Sequence, residues 1–118
     1  MKKSELESRL VKFSVSIIGM TKKLEEGFES QHLSKQIIRS GTATALLYGE
    51  AHGAISKKDF IHKISLVLRE LKETKINLCI IEDSKLLHNQ DLMNEIKDEN
   101  DQLIKIFMKT MITAKQRE

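Results

Sequence analysis

Few residues of this sequence have the spacing that catalysis or metal binding requires. Glu50 and His62 occupy opposing positions near the ends of two predicted helices, where an imidazole that titrates near neutral pH could exchange a proton with a carboxylate. No nucleophile accompanies them. The four histidines lack the i, i+4 spacing of a helical zinc site, and the single cysteine, Cys79, has no CxxC partner. The sequence therefore predicts no catalytic residue, metal or cofactor, and we expect the protein not to be an enzyme.

Arg39 is placed to form an ion pair. The second and third predicted helices run antiparallel about a turn near residues 54 and 55, and Arg39 and Glu70 lie at equal distances from that turn. We expect a structural ion pair between them, with Glu73 as a second acceptor. The alternative is that Arg39 contacts a phosphate group.

Two groups of basic residues could contact phosphate, one at the start of the third predicted helix and one on a face of the second. They are Lys57, Lys58 and Lys63 in the first group, and Lys35 and Arg39 in the second. A helix amino terminus favours an anion, but lysines in a first turn are ordinarily solvated surface. The pattern permits a nucleic-acid surface on which only Tyr48 is expected to offer a stacking ring, and no base-specific contact is predicted.

Composition limits the classes of protein to which the chain can belong. With 118 residues, 40% hydrophobic, 31% charged and no proline, it is expected to be one all-α domain, residues 1–118. Its formal net charge of +3 permits a nucleic-acid partner without requiring one. The charged start and the lack of a long apolar run predict a soluble protein with no membrane segment, and one cysteine fits the reducing cytoplasm.

Apolar residues recur at spacings of four and three in four segments. The first segment should run from a capping Ser4 to Gly27, and the second from Ser30 or Gln31 to Gly53. The third should begin at Ser56, and the fourth follows a polar turn at residues 83–89. Four helices joined by short loops predict an up-down-up-down antiparallel four-helix bundle. The seams of the first and third helices are Leu6, Leu10, Phe13, Ile17, Met20 and Leu24, and Phe60, Ile64, Val67, Leu71, Thr74, Leu78 and Ile81.

The middle of the second helix is unusually slim. Residues 41–45 are all small, which allows another helix backbone to approach closely, whether in the same chain or in another copy. Leu46 and Leu47 follow and cannot both face one seam. Because exposed apolar patches usually mark association, we expect a homo-oligomer. Its predicted interface comprises Gly41, Ala45, Leu46, Leu47 and Ile55.

Five segments form a recognisable signature that is densest over the second and third helices. They are Arg39-Ser40-Gly41-Thr42, Tyr48-Gly49-Glu50-Ala51, Gly53-Ala54, Ser56-Lys57-Lys58-Asp59-Phe60-Ile61-His62-Lys63 and Leu68-Arg69-Glu70-Leu71-Lys72-Glu73-Thr74. In these segments the chain resembles the bacterial four-helix bundle family associated with 23S rRNA intervening sequences.

This resemblance implies a four-helix bundle that commonly forms a homopentameric ring without established enzymatic activity. A related branch resembles the accessory variability protein of diversity-generating retroelements, a basic pentamer that engages a reverse transcriptase and nucleic acid. The implied function is a noncatalytic oligomeric scaffold whose partner is RNA or a reverse-transcriptase-like protein. The alternative is a purely structural protein-interaction oligomer that binds no nucleic acid.

Overall fold

The structure, a computed structural model, describes residues 1–117 as four long helices joined by short connections. Helix α1 spans Lys3–Thr21, α2 Phe28–His52, α3 Lys57–Asp83 and α4 Gln90–Gln116. Each helix packs along the next in sequence, and α1 contacts α4 less extensively. The four helices of the chain together measure 49 × 23 × 21 Å. The predicted all-α, up-down-up-down antiparallel four-helix bundle is confirmed.

The apolar seams predicted from helical periodicity form the core. Every seam residue that lies within α1 is buried, and so are all those of α3 after its first turn. α4 adds Met93, Ile96, Leu103 and Phe107 to the same hydrophobic cluster. Full burial of a large apolar side chain contributes about 1.5–3 kcal/mol, so this shared cluster holds the four helices together.

The predicted connection between the first two helices is wrong. α1 begins at Lys3 without a side-chain cap at Lys2, and it ends at Thr21 rather than continuing to Gly27. Gly27 instead precedes α2 as its N-cap residue, with φ of 148°, a backbone conformation that side-chain-bearing residues rarely adopt. Leu24 therefore lies in the connection, where it packs against the core from outside a helix.

The other helix starts follow their capping residues. The Ser56 hydroxyl accepts a hydrogen bond of 3.0 Å from the Asp59 amide, which agrees with the predicted start of the third helix at Ser56. The Asn89 side chain caps α4 by accepting from the Leu92 amide at 3.0 Å. These two caps fix where α3 and α4 begin.

The slim segment of α2 is used for packing inside the chain. A Cβ atom at Gly41 would lie 3.1 Å from a side-chain carbon of Ile17, so α1 and α2 approach closely there. The Ser14 hydroxyl crosses the same contact and donates to the Gly41 carbonyl at 3.3 Å. Gly41 is buried by α1, and its expected place in an interface between copies is therefore a wrong prediction.

Candidate functional site

The antiparallel contact of α2 and α3 brings Arg39 onto Glu70 and Glu73. One Arg39 nitrogen donates to both Glu70 carboxylate oxygens, at 3.1 and 3.2 Å, and the other terminal nitrogen donates to Glu73. The hydrogen bonds to Glu70 raise the pKa of the Arg39 guanidinium above its ordinary value. Arg39 is thus held in place by two carboxylates, which leaves it less available to a phosphate group.

Burial of this ion pair is one-sided. The Glu70 side chain is only 6% exposed, whereas Arg39 is 57% exposed. The carboxylate of the pair is therefore buried, whereas most of the guanidinium side chain is accessible to solvent. A second arginine, Arg69, lies 3.8 Å from Glu70 and is more exposed still. Glu70 therefore depends on Arg39 for its close charge partner.

The three lysines at the start of α3 have different surroundings. Lys63 donates to Glu50 at 2.8 Å, and this contact raises the pKa of the lysine ammonium. Glu50 thus pairs with Lys63 rather than with the neighbouring His62. Lys58 is exposed without an ion-pair partner among residues 1–117, and the Lys57 ammonium nitrogen is buried without a hydrogen-bond partner there. Of these three lysines, Lys58 is the one placed to meet a phosphate.

Lys35 lies far from the lysines of α3. It is 17 residues before the end of α2, roughly 25 Å along the helix at 1.5 Å per residue, whereas Lys58 follows the α2–α3 turn. It lines a cavity of about 880 Å³ at the α1–α2 connection, together with Lys22, Glu25 and Glu26. The five predicted phosphate-contacting residues therefore form two separated groups.

The expected stacking residue, Tyr48, is not available for stacking. It is 5% exposed and packs edge-on against Phe107, with ring centroids 5.4 Å apart. Phe28, which the sequence analysis did not single out, is 77% exposed and stacks on His32 at 6.2 Å between centroids. The Gln36 amide contacts the His32 ring at 3.0 Å. An accessible aromatic surface therefore exists at the first turns of α2.

A groove between α2 and α3 extends from that aromatic surface toward Arg39. We call it the α2–α3 groove, and it consists of two cavities of about 470 and 490 Å³ that share Ile80. The first is lined by Phe28, Glu29, His32, Leu33, Ile80, Ser84 and Leu86, and the second by Gln36, Arg39, Glu73, Ile76, Asn77 and Ile80. Asn77 is buried to 9% exposure, and no hydrogen bond joins its side chain to another described residue.

The residues predicted to lie between copies differ widely in accessibility. Leu46 is 69% exposed and Ile55, in the α2–α3 turn, is 95% exposed. Ala45 and Leu47 are partly buried and pack against the core of their own chain. An exposed stripe that the sequence analysis missed lies on α1, where Val11, Val15 and Ile18 are 50%, 62% and 37% exposed. Its spacing of four and three was present in the sequence but lay beside the stronger core seam.

Within residues 1–117, no cluster of three or more His, Cys, Asp or Glu side chains is arranged to hold a metal ion. None of the four described helices combines the length and apolar character needed to cross a membrane.

Comparison with known proteins places this architecture in a family. The family model described as 23S rRNA-intervening sequence protein matches residues 2–109. A crystal structure of a protein of unknown function from the S23 ribosomal protein family of Bacteroides thetaiotaomicron is 27% identical, with a TM-score of 0.80 over 89% of this chain and 96% of that one. No curated protein matches the chain at a significant level. The chain belongs to the 23S rRNA-intervening sequence protein family.

Proposed function

We propose that this protein is a noncatalytic scaffold that assembles from several copies, with a pentamer favoured, and holds RNA on basic surfaces repeated around the assembly. A reverse-transcriptase-like protein is the kind of enzyme that such an assembly could present to RNA. The observation that carries the proposal is the apolar stripe of Val11, Val15 and Ile18, which the chain leaves uncovered on a helix whose opposite seam is fully packed.

The stripe supports assembly because it offers a second helical seam. Its residues follow one another at i+4 and i+3, the spacing with which one helix packs along another. Ile17 and Gly41 are in contact and the two helices are antiparallel, so Leu46 of α2 lies at about the same level along the bundle axis as Val11 of α1. A copy that covered this surface would remove three or four exposed apolar side chains from water.

Support for RNA as the partner comes from the family model and from two lysines that have no ion-pair partner among the described residues. The matching family is described by its relation to 23S rRNA. Lys35 and Lys58 have no ion-pair partner among the described residues, and both are exposed. A few phosphate contacts per copy give weak binding, but repetition in one assembly raises the effective concentration of each further contact by mass action.

Assembly and RNA binding can be tested with one pair of variants. Val15→Glu places a charge in the α1 stripe, and Ile112→Glu makes the same change at a 55% exposed position on α4. In sedimentation velocity, wild type and Ile112→Glu should form the same oligomer, and Val15→Glu should sediment as a smaller species. The smaller species should bind RNA at least about 100-fold more weakly, because it loses multivalency. A Val15→Glu protein that keeps the wild-type assembly would refute the role of the stripe.

A further inference from the structure

We propose that the α2–α3 groove binds unpaired nucleobases, with the Asn77 side chain hydrogen-bonding to the edge of one base and the Phe28–His32 pair stacking on another. This inference rests on the proposed RNA-binding function and adds to it a site that contacts bases as well as phosphates.

Asn77 is the reason for placing a base in the groove. Asn77 lies in the wall of the second cavity at 9% exposure. Its amide has no hydrogen bond to a described residue, but it is not among the fully buried groups that lack a partner, so it is open to the cavity. A ligand that fills the cavity must supply hydrogen bonds to this amide, because burying a carboxamide without partners costs free energy. An amide carries both donors and an acceptor, which matches the paired donors and acceptors on the edge of a nucleobase.

The walls around Asn77 suit a flat, partly apolar ring. Ile76 and Ile80 are 61% and 42% exposed and give the cavity its apolar side. Arg39 forms part of the opposite side, and its guanidinium is oriented by the carboxylates of Glu70 and Glu73. Planar guanidinium groups and apolar side chains are both surfaces on which bases stack.

The aromatic end of the groove supplies a second stacking surface. Phe28 and His32 are nearly parallel, with an interplanar angle of 17°, and Phe28 is largely exposed. From Phe28 to Arg39 the groove follows eleven residues of α2, or about 16 Å at 1.5 Å per residue. This length accommodates a short run of unpaired nucleotides rather than a single small molecule.

RNA fits this groove better than a partner helix does. An amphipathic helix would have to cover the exposed guanidinium of Arg39 and the solvent-accessible amide of Asn77 with apolar side chains, which desolvates both. Single-stranded RNA presents stacking faces, hydrogen-bonding edges and phosphates in the same short segment.

The test compares bases with backbone alone. Fluorescein-labelled single-stranded RNA 12-mers and an abasic oligonucleotide of equal length would be titrated with the full-length protein at low salt and followed by anisotropy. We expect wild type to bind the base-bearing RNA about 5- to 150-fold more tightly than the abasic one, as stacking of one base predicts. Equal affinity for the two would overturn the proposal.

Variants then locate the effect. Phe28→Ala and Asn77→Leu should each reduce the preference for base-bearing RNA by about 5-fold or more, while leaving binding of the abasic oligonucleotide unchanged. Met108→Ala, at a 47% exposed position on α4, is the matched control and should bind as wild type does. Because the Asn77 amide has no partner, Asn77→Leu should unfold at a temperature no lower than wild type.

The outcomes separate this inference from the function on which it rests. If wild type binds neither oligonucleotide, the RNA-binding function fails. If wild type prefers base-bearing RNA but both groove variants keep that preference, RNA is bound elsewhere and the groove is free for a protein partner. Either result contradicts the proposed nucleobase site.

Discussion

Removing Arg39 should destabilise the fold far more than removing its neighbour Arg69. Both arginines lie near the Glu70 carboxylate, but Arg39 donates two hydrogen bonds at 3.1 and 3.2 Å, whereas Arg69 approaches no closer than 3.8 Å. Glu70 is 6% exposed while Arg39 is in place, so solvent replaces a lost hydrogen-bond donor at its side chain only in part. Arg39→Ala and Arg69→Ala each remove one arginine near the same carboxylate. The difference in stability between the two variants therefore reports how closely each arginine contacts Glu70.

The expected magnitude follows from the one-sided burial. Breaking a fully buried ion pair costs about 3–5 kcal/mol because the remaining charge is left unpaired. Arg39 is 57% exposed, so water already screens its side of the pair and the cost should be smaller. A charged hydrogen bond contributes about 1.5–3 kcal/mol. We expect Arg39→Ala to lower the free energy of unfolding by about 2 kcal/mol, and Arg69→Ala by at most about 0.5 kcal/mol.

Urea unfolding followed by circular dichroism at 222 nm measures both values. All variants should be compared at one protein concentration, because assembly would stabilise the folded chain by mass action. Glu73→Ala provides a further control, since Glu73 is 45% exposed and its loss leaves Arg39 paired with Glu70. If Arg39→Ala costs no more than Arg69→Ala, then Glu70 is stable without its partner and the reasoning from burial is wrong.

Three other predictions follow from single contacts. Gly49→Ala, with no atom near the added Cβ, should raise the free energy of unfolding by about 0.5–1 kcal/mol, whereas Gly41→Ala should be at least about 1 kcal/mol less favourable in the same urea titration. Thr74→Val should cost about 1–2 kcal/mol, because it removes the 2.8 Å partner of the buried Ser40 hydroxyl, and adding Ser40→Ala should recover part of that loss. Partial desolvation, together with the positive charge of Lys3, lowers the pKa of His52, so its stabilising contribution is present above the unfolded pKa and is lost as the pH falls through the folded one. Between pH 8 and pH 5 the unfolding temperature of His52→Gln should fall less than that of wild type. Equal falls for the two proteins would contradict this prediction.

Helical periodicity was sufficient to predict the architecture because the core seams are continuous. The α1 and α3 seams hold the 3.6-residue repeat through most of each helix, and the buried residues are those the repeat selects. The Arg39–Glu70 contact could be anticipated for a related reason. A short turn between antiparallel helices fixes which residues face each other.

Features that depend on contacts between distant segments were not predictable in this way. The α1–α2 connection is longer than expected because the Glu25 amide donates to the Leu86 carbonyl at 2.9 Å, which ties it to the α3–α4 connection. A glycine such as Gly27 is compatible with either end of a helix, so its type alone could not decide between them.

The candidate site was only partly predictable. The burial of Tyr48 follows from helical periodicity, since Tyr48 lies on the same face of α2 as the packed Gly41 and Thr44. The groove beside Asn77 exists because of how closely α2 and α3 pack, a quantity that sequence spacing does not contain.

The most direct test of the central claim is the affinity of the assembled protein for structured RNA, measured by fluorescence anisotropy across a salt series. Lys35→Gln and Lys58→Gln each remove a lysine that has no ion-pair partner among the described residues. Lys75→Gln is the control, because it removes the same charge from a lysine that is paired with Asp101 at 3.1 Å. We predict clear binding whose logarithm falls linearly with the logarithm of salt concentration, with a shallower slope for the first two variants and an unchanged slope for the third. Absence of binding at low ionic strength would contradict the RNA scaffold and leave an oligomer that interacts only with proteins.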